Sequence, residues 1–167
     1  MGRGSLRRTA LLLLVSALAA CSDLAEASPL ANAYKSPEAL AEAVLVALSE
    51  RDDVALRELM ITREEYETLL WPSMPDREHM PFDFVWSVTG PRSRKARGEA
   101  LDRFGGLPME LVSIELGDEV ERYDDFALHK GATMKVRRGD TGEEGRLPMI
   151  DVLVEMGGGW KFMNYVE

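Results

Sequence analysis

An α+β fold follows from three features of the sequence. Apolar residues recur at helical spacing between Ser36 and Phe104, and they alternate at strand spacing after Gly106. Gly105-Gly106 divides the two regimes. Helices gathered first and strands gathered after them, with tight glycine turns between strands, is the pattern of an α+β domain rather than of alternating βαβ units. The expected architecture is a set of N-terminal helices on a curved antiparallel sheet of about four strands, forming one domain over residues 36–167. A leader over residues 1–20 and a tether over 21–35 are expected to precede it.

The leader has a three-part grammar. Arg3, Arg7 and Arg8 make a basic start, Ala10 to Ala20 form an apolar run broken only by Ser16, and Ala19-Ala20 are small residues just before Cys21. This is the pattern of a secretory signal peptide. Eleven residues at ~1.5 Å per residue span roughly 17 Å, short of the ~30 Å hydrocarbon core that a transmembrane helix must cross. Leu18-Ala19-Ala20-Cys21 resembles the lipobox of bacterial lipoproteins. The resemblance implies cleavage before Cys21, diacylglycerol on its thiol, and a mature protein that starts at that residue. An ordinary secreted protein with a free or buried thiol is the alternative. Cys21 is the single cysteine of the chain, so lipidation would remove a thiol otherwise exposed to oxidation and leave the domain without disulfides. Two or more acyl chains hold stably, each buried CH₂ contributing about 0.8 kcal/mol. The same resemblance implies a place in the cell envelope. Because Ser22 rather than an aspartate follows the cysteine, that place in a Gram-negative cell is the periplasmic side of the outer membrane.

Charge narrows the partners. The 167 residues carry 20 Lys+Arg against 29 Asp+Glu, a net −9. Loss of the leader with its three arginines leaves 17 against 29, a net −12 on 147 residues. So acidic a protein is a poor match for nucleic acid, whose phosphates require basic surface. It is equally poor at electrostatic docking on anionic lipid. Membrane contact is expected through the lipid on Cys21, and the domain itself is expected to be a soluble monomer with a core of its own. "SDLAEASPLANAYK", residues 22–35, shows no sustained period and reads as a tether. As a coil it would span roughly 20 Å, with an extended limit near 50 Å. Alternatively, its second half joins the first helix.

The helices can be placed in order. Ser36-Pro37-Glu38 is an N-cap, a first-turn proline and an acid set against the helix dipole. Leu40, Val44 and Leu48 then make an apolar stripe. Asp52 or Asp53 can cap a short second helix with Leu56, Leu59 and Met60. Thr62-Arg63-Glu64-Glu65 is a capping box for a third helix with Tyr66, Leu69 and Leu70, ended by Pro72 and Pro75. "PSMPDREHMP" reads as an irregular connection. Phe82 to Val88 suggest a further helix or turn interrupted at Gly90-Pro91, and a helix resumes from Arg92 to Phe104. Within it, Arg92, Arg94, Lys95 and Arg97 are the one basic cluster of the chain. A solvated face and an anion or partner site both fit that cluster.

After Gly106, Val112, Ile114 and Leu116 alternate in a first strand. Phe126, Leu128, Ala132, Met134 and Val136 alternate in one long second strand, and Ile150, Val152, Val154 and Met156 in a third. Gly157 to Gly159 form a tight turn into a last strand, Trp160 to Val166, and "GDTGEEG" reads as a loop. This element order, closed by "GGGWKFMNYVE", resembles the NTF2-like, cystatin-related superfamily over residues 36–167. The resemblance implies a sheet wrapped round helices into a cone that can hold a small molecule. Some members are isomerases or dehydratases with an aspartate–histidine pair, and others bind without catalysis.

Candidate site residues are few. His129 and Asp151 could form an acid–base pair, histidine titrating near neutrality and a carboxylate orienting it. They also fit two polar residues on a solvated sheet face. Trp71, Trp86 and Trp160 are either core or the wall of a ligand pocket. No HxH, HExxH, EF-hand, P-loop or G-x-S-x-G pattern is present, so neither a metal nor a cofactor is expected. A lipid-anchored envelope protein that binds a partner or small ligand without turnover is the expected function, and an NTF2-like enzyme is the alternative.

Overall fold

The computed structural model describes residues 28–166, so the leader and Cys21 lie outside the described residues. Helix α1 (Pro37–Glu50) starts as its sequence dictates: the Ser36 hydroxyl accepts from the Ala39 N–H at 3.1 Å. Helix α2 (Asp53–Glu58) is capped by the Asp52 carboxylate, which accepts from the Ala55 N–H at 2.9 Å. Helix α3 (Arg63–Glu65) has the reciprocal Thr62/Glu65 capping box, then widens into a π-turn over Tyr66–Leu70. Two 3-10 turns, Trp71–Ser73 and Pro75–Glu78, give local order to the expected irregular connection.

Helix α4 (Phe82–Phe104) corrects the expected break at Gly90-Pro91, because one helix runs through both residues. Proline disfavours helical geometry in the residue before it partly by clashing with that residue's Cβ. Gly90 has none, so the chain stays helical. The glycine is buried, and a Cβ added there would meet the Trp86 indole at 3.3 Å. Left-handed Gly106 (φ +82°) follows the helix end, and its N–H donates to the Leu48 carbonyl of α1 at 3.0 Å.

The strands are shorter and more numerous than their alternation suggests. They are β1 (Met109–Glu115), β2 (Val120–Arg122), β3 (Phe126–His129), β4 (Thr133–Arg138), β5 (Glu144–Leu147), β6 (Leu153–Met156) and β7 (Gly159–Phe162). They form two antiparallel sheets, β1-β4-β5 and β2-β3-β6-β7, neither closed into a barrel. The fold is α+β as expected, but two sheets replace the single sheet of about four strands. The long strand of the sequence is in fact β3 and β4, divided at left-handed Gly131 and assigned to different sheets. Gly117 packs so close to this corner that a Cβ there would fall 2.2 Å from the Lys130 carbonyl. The glycine turn joins β6 to β7 in antiparallel register as expected, with Met156 opposite Gly159.

Two apolar clusters cover the two faces of the four-stranded sheet. Leu153 and Phe162 belong to the larger one, with α1, α2, β4 and Tyr165. Phe126, Leu128, Val154 and Met156 belong to the smaller one, with Leu30, Ile61 and Leu70. The folded body begins before Ser36. Leu30 is buried, Ser28 Oγ donates to the Met156 carbonyl at 2.7 Å, and Tyr34 pairs with Trp160 through hydrogen bonds in both directions. The expected tether is thus folded from Ser28 onward. Lacking periodicity, this segment gave no signal in sequence, since its order comes from the edge of β7 and a pocket for one leucine.

Candidate functional site

The Leu59–Ile61 link after α2 lies along β7: the Phe162 N–H donates to Leu59 O at 3.0 Å and the Ile61 N–H to Phe162 O at 2.7 Å. Helix α4 is locked alongside through the C-terminal segment. The Tyr165 hydroxyl donates to Leu56 O at 2.5 Å, and its N–H donates to Ser93 Oγ at 3.1 Å. Burial pushes the Tyr165 hydroxyl pKa well up. It therefore stays a proton donor.

Between these braced elements opens a cleft of about 440 Å³, within the range of small-molecule sites. Its apolar part comes from Met60 and Ile61 and from one face of α4, Trp86 and Gly90. Trp86 is held in place by stacking on Phe82, centroids 6.1 Å apart, and by Tyr66 at 6.1 Å. Burial, with smaller contributions from Asp76 and Tyr123, raises the Tyr66 pKa and keeps that ring neutral. A smaller depression lined by Tyr66, Thr89, Ser93 and Met163 shares Trp86 and Gly90 with the cleft.

The charged lining is one-sided. Arg57, Arg63, Arg94, Arg97 and Lys161 face a single acidic lining residue, Glu58. Three of these cations are committed to carboxylates. Buried Arg97 grips Asp53 with two hydrogen bonds, of 2.6 and 3.1 Å. Arg63 meets Asp83 at 2.6 Å and lies 5.4 Å above the Phe82 ring. Lys161, 1% exposed, donates to both oxygens of Glu65, itself 7% exposed, at 3.1 and 3.0 Å. The Glu65 carboxylate also accepts from the Thr62 N–H at 2.7 Å and the Ala31 N–H at 2.8 Å. Burial works to raise the Glu65 pKa, but the Thr62 N–H, Lys161 and the Ala31 N–H outweigh it and hold the carboxyl below its ordinary range. Exposed Arg57 and Arg94 have no ion-pair partner among the described residues.

The basic cluster of the sequence is therefore split by helical geometry. Arg94 and Arg97, three residues apart, line the cleft; Arg92 is exposed, and Lys95 pairs with Glu99 at 3.2 Å. Of the three tryptophans, Trp86 lines the cleft and Trp71 packs behind it against Phe82 at 5.9 Å. Trp160 sits elsewhere, its ring 4.8 Å from that of His129. His129 is only 8% exposed, and its Nε2 lies 2.9 Å from Glu155 Oε2. It is therefore not the solvated sheet residue that alternation allowed. Nor is it joined to Asp151, which is exposed and takes the Ala132 N–H on its main-chain carbonyl at 2.8 Å. Glu155, two residues past His129's cross-strand neighbour Leu153, supplies the carboxylate instead.

Sequence reasoning missed Lys161 and Glu65. Glu65 was visible as the last residue of the capping box, and Lys161 as a lone cation between Trp160 and Phe162. Nothing local marked them as partners across 96 residues. Among the described residues no cluster of three metal-binding side chains occurs, and no helix is long and apolar enough to cross a membrane. No family model, curated protein or solved structure matches this chain.

Proposed function

We propose that the protein is a lipid-anchored binding domain of the bacterial cell envelope, held on the membrane through Cys21 and capturing a small ligand or partner without chemical turnover. The observation that carries this reading is the braced cleft, with its apolar floor and the guanidiniums of Arg57 and Arg94, which have no ion-pair partner among the described residues. The lining hydroxyl of Thr62 already accepts from the Glu65 N–H. Binding groups are on offer there, and a paired nucleophile and base are not. The lipobox supports the anchor, and Ser22 supports the outer membrane as its destination in a Gram-negative cell.

A second reading keeps the NTF2-like isomerase or dehydratase alternative. Its support is the hydrogen bond between buried His129 and half-buried Glu155 beside Trp160, a histidine–carboxylate pair of the right chemistry. The pair lies outside the residues that line the cleft, which favours binding over turnover.

Two measurements test the proposal. Cys21→Ser should abolish palmitate labelling of the protein in growing bacteria; labelling that persisted would remove the lipid anchor. A library of small organic compounds titrated into the protein should move the backbone amide signals of Ile61 and Gly90 without consuming the compounds. Conversion of a bound compound, lost in His129→Ala, would establish the enzyme instead.

A further inference from the structure

The chemistry of the cleft specifies more than that it binds. In a chain of net −9, its charged lining is five cations to one carboxylate. Arg97, Arg63 and Lys161 are held by Asp53, Asp83 and Glu65, and these contacts settle the walls rather than offer donors. The donors left over are Arg57 from α2 and Arg94 from α4. One planar fork from each wall suits an oxyanion, because guanidinium pairs with phosphate or carboxylate through parallel hydrogen bonds.

The rest of the cleft is not built for a bare ion. Along one face of α4, Trp86, Gly90 and Arg94 follow at four-residue spacing, setting an indole, a bare stretch of backbone and a cation in a row. The glycine lets the indole lie close against the helix, since a Cβ there would stand 3.3 Å from it. Phe82 and Tyr66 hold the indole from behind. A flat or narrow apolar group can therefore lie against Trp86 and Met60 while an attached anion reaches Arg94 and Arg57.

From this arrangement we infer that the cleft takes a small amphipathic anion, an apolar body carrying a phosphate or carboxylate. Arg57 and Arg94 bind the charge, and Trp86 and Gly90 receive the body. The inference rests on the cleft being the binding site, and it commits to a small molecule rather than to the surface of the membrane.

The full chain, held in nanodiscs of neutral phosphatidylcholine, is the sample. The probes are 1-naphthyl phosphate, its uncharged counterpart 1-naphthyl glucoside, and inorganic phosphate. Calorimetry against empty discs gives affinity, and NMR of the Trp86 indole and Gly90 amide gives location. Naphthyl phosphate is expected to bind about tenfold or more tighter than either other probe, and to shift both signals. Arg94→Gln and Arg57→Gln should each weaken it by about tenfold, with melting temperatures unmoved, and Arg94→Lys should lose less.

Equal binding of the glucoside, indifferent to both arginine substitutions, would overturn the anion and leave a binding domain standing. Inorganic phosphate binding as tightly as naphthyl phosphate would overturn the apolar half. Perturbation of Gly90 and Arg94 only in discs of phosphatidylglycerol would overturn the small-molecule occupant in favour of a lipid surface. Silence of Trp86 and Gly90 towards both naphthyl compounds would overturn this inference and the binding reading together.

Discussion

The base and the rim of the cleft handle charge in opposite ways. At the base, Lys161 and Glu65 are buried and meet each other, and two backbone N–H groups complete the carboxylate's contacts. At the rim, Arg57 and Arg94 are exposed and meet no carboxylate among the described residues. Charge removed from water must be satisfied from within, because an unpaired buried ion costs several kcal/mol. Charge left in water bears no such constraint and stays available. The lesson is that the cations of one cleft divide into those that build it and those that can act: burial obliges Lys161 and Arg97 to pair, exposed Arg63 pairs with Asp83 at the surface, and Arg57 and Arg94 are left to act. His129, outside the cleft, is likewise closed off, by Glu155 and Trp160.

The comparison is broken most severely at its base. Lys161→Met should destabilise the fold by about 3–5 kcal/mol in urea denaturation, because it strands the Glu65 carboxylate in the interior. Adding Glu65→Gln should recover part of that loss, since it removes the stranded charge and its one amide oxygen can still accept from the Thr62 or the Ala31 N–H. A double variant no more stable than Lys161→Met would show that the pair is not what the single change breaks.

Acid probes the same contact without mutation. The Glu65 carboxyl is held below its unfolded value by the Thr62 N–H, Lys161 and the Ala31 N–H against the opposing pull of burial. It therefore stabilises the fold fully above the ordinary carboxylate range. That contribution is lost as pH falls through the folded-state pKa. The urea midpoint should decline with acid, and less steeply in Glu65→Gln.

A smaller effect is expected at His129. His129→Ala removes a hydrogen bond and the contact with Trp160, costing about 1–3 kcal/mol. It should leave the Gly90 and Ile61 amide signals in place, because His129 does not line the cleft. Displacement of those signals would tie the two sites together. The smallest effect belongs to the rim: Arg57→Gln and Arg94→Gln should change unfolding free energy by no more than about 0.5 kcal/mol. A larger loss would move these arginines from the acting group to the building group.

Local signals in the sequence determined the starts of the first three helices and the glycine turn of this protein. Ser36, Asp52 and Thr62 cap the helices they announce, because capping is settled within three or four residues. The Gly157-Gly158 turn likewise imposes antiparallel pairing on its neighbours. Only tertiary structure decided the rest. The alternation of residues 126–136 is the same whether the strand continues or turns, and close packing of Gly117 on the Lys130-Gly131 corner sends β3 and β4 into different sheets. At Gly90-Pro91 a local rule for ending helices was overridden by the missing Cβ and by packing against Trp86. The candidate site was legible in pieces, as Trp86 on one segment and Arg94 on the basic cluster. Its assembly needed β7 to fix the Leu59–Ile61 link, Tyr165 to brace α2 to α4, and Lys161 to reach Glu65. Those contacts join residues far apart in the chain, and local pattern carries no information about which distant partners will meet.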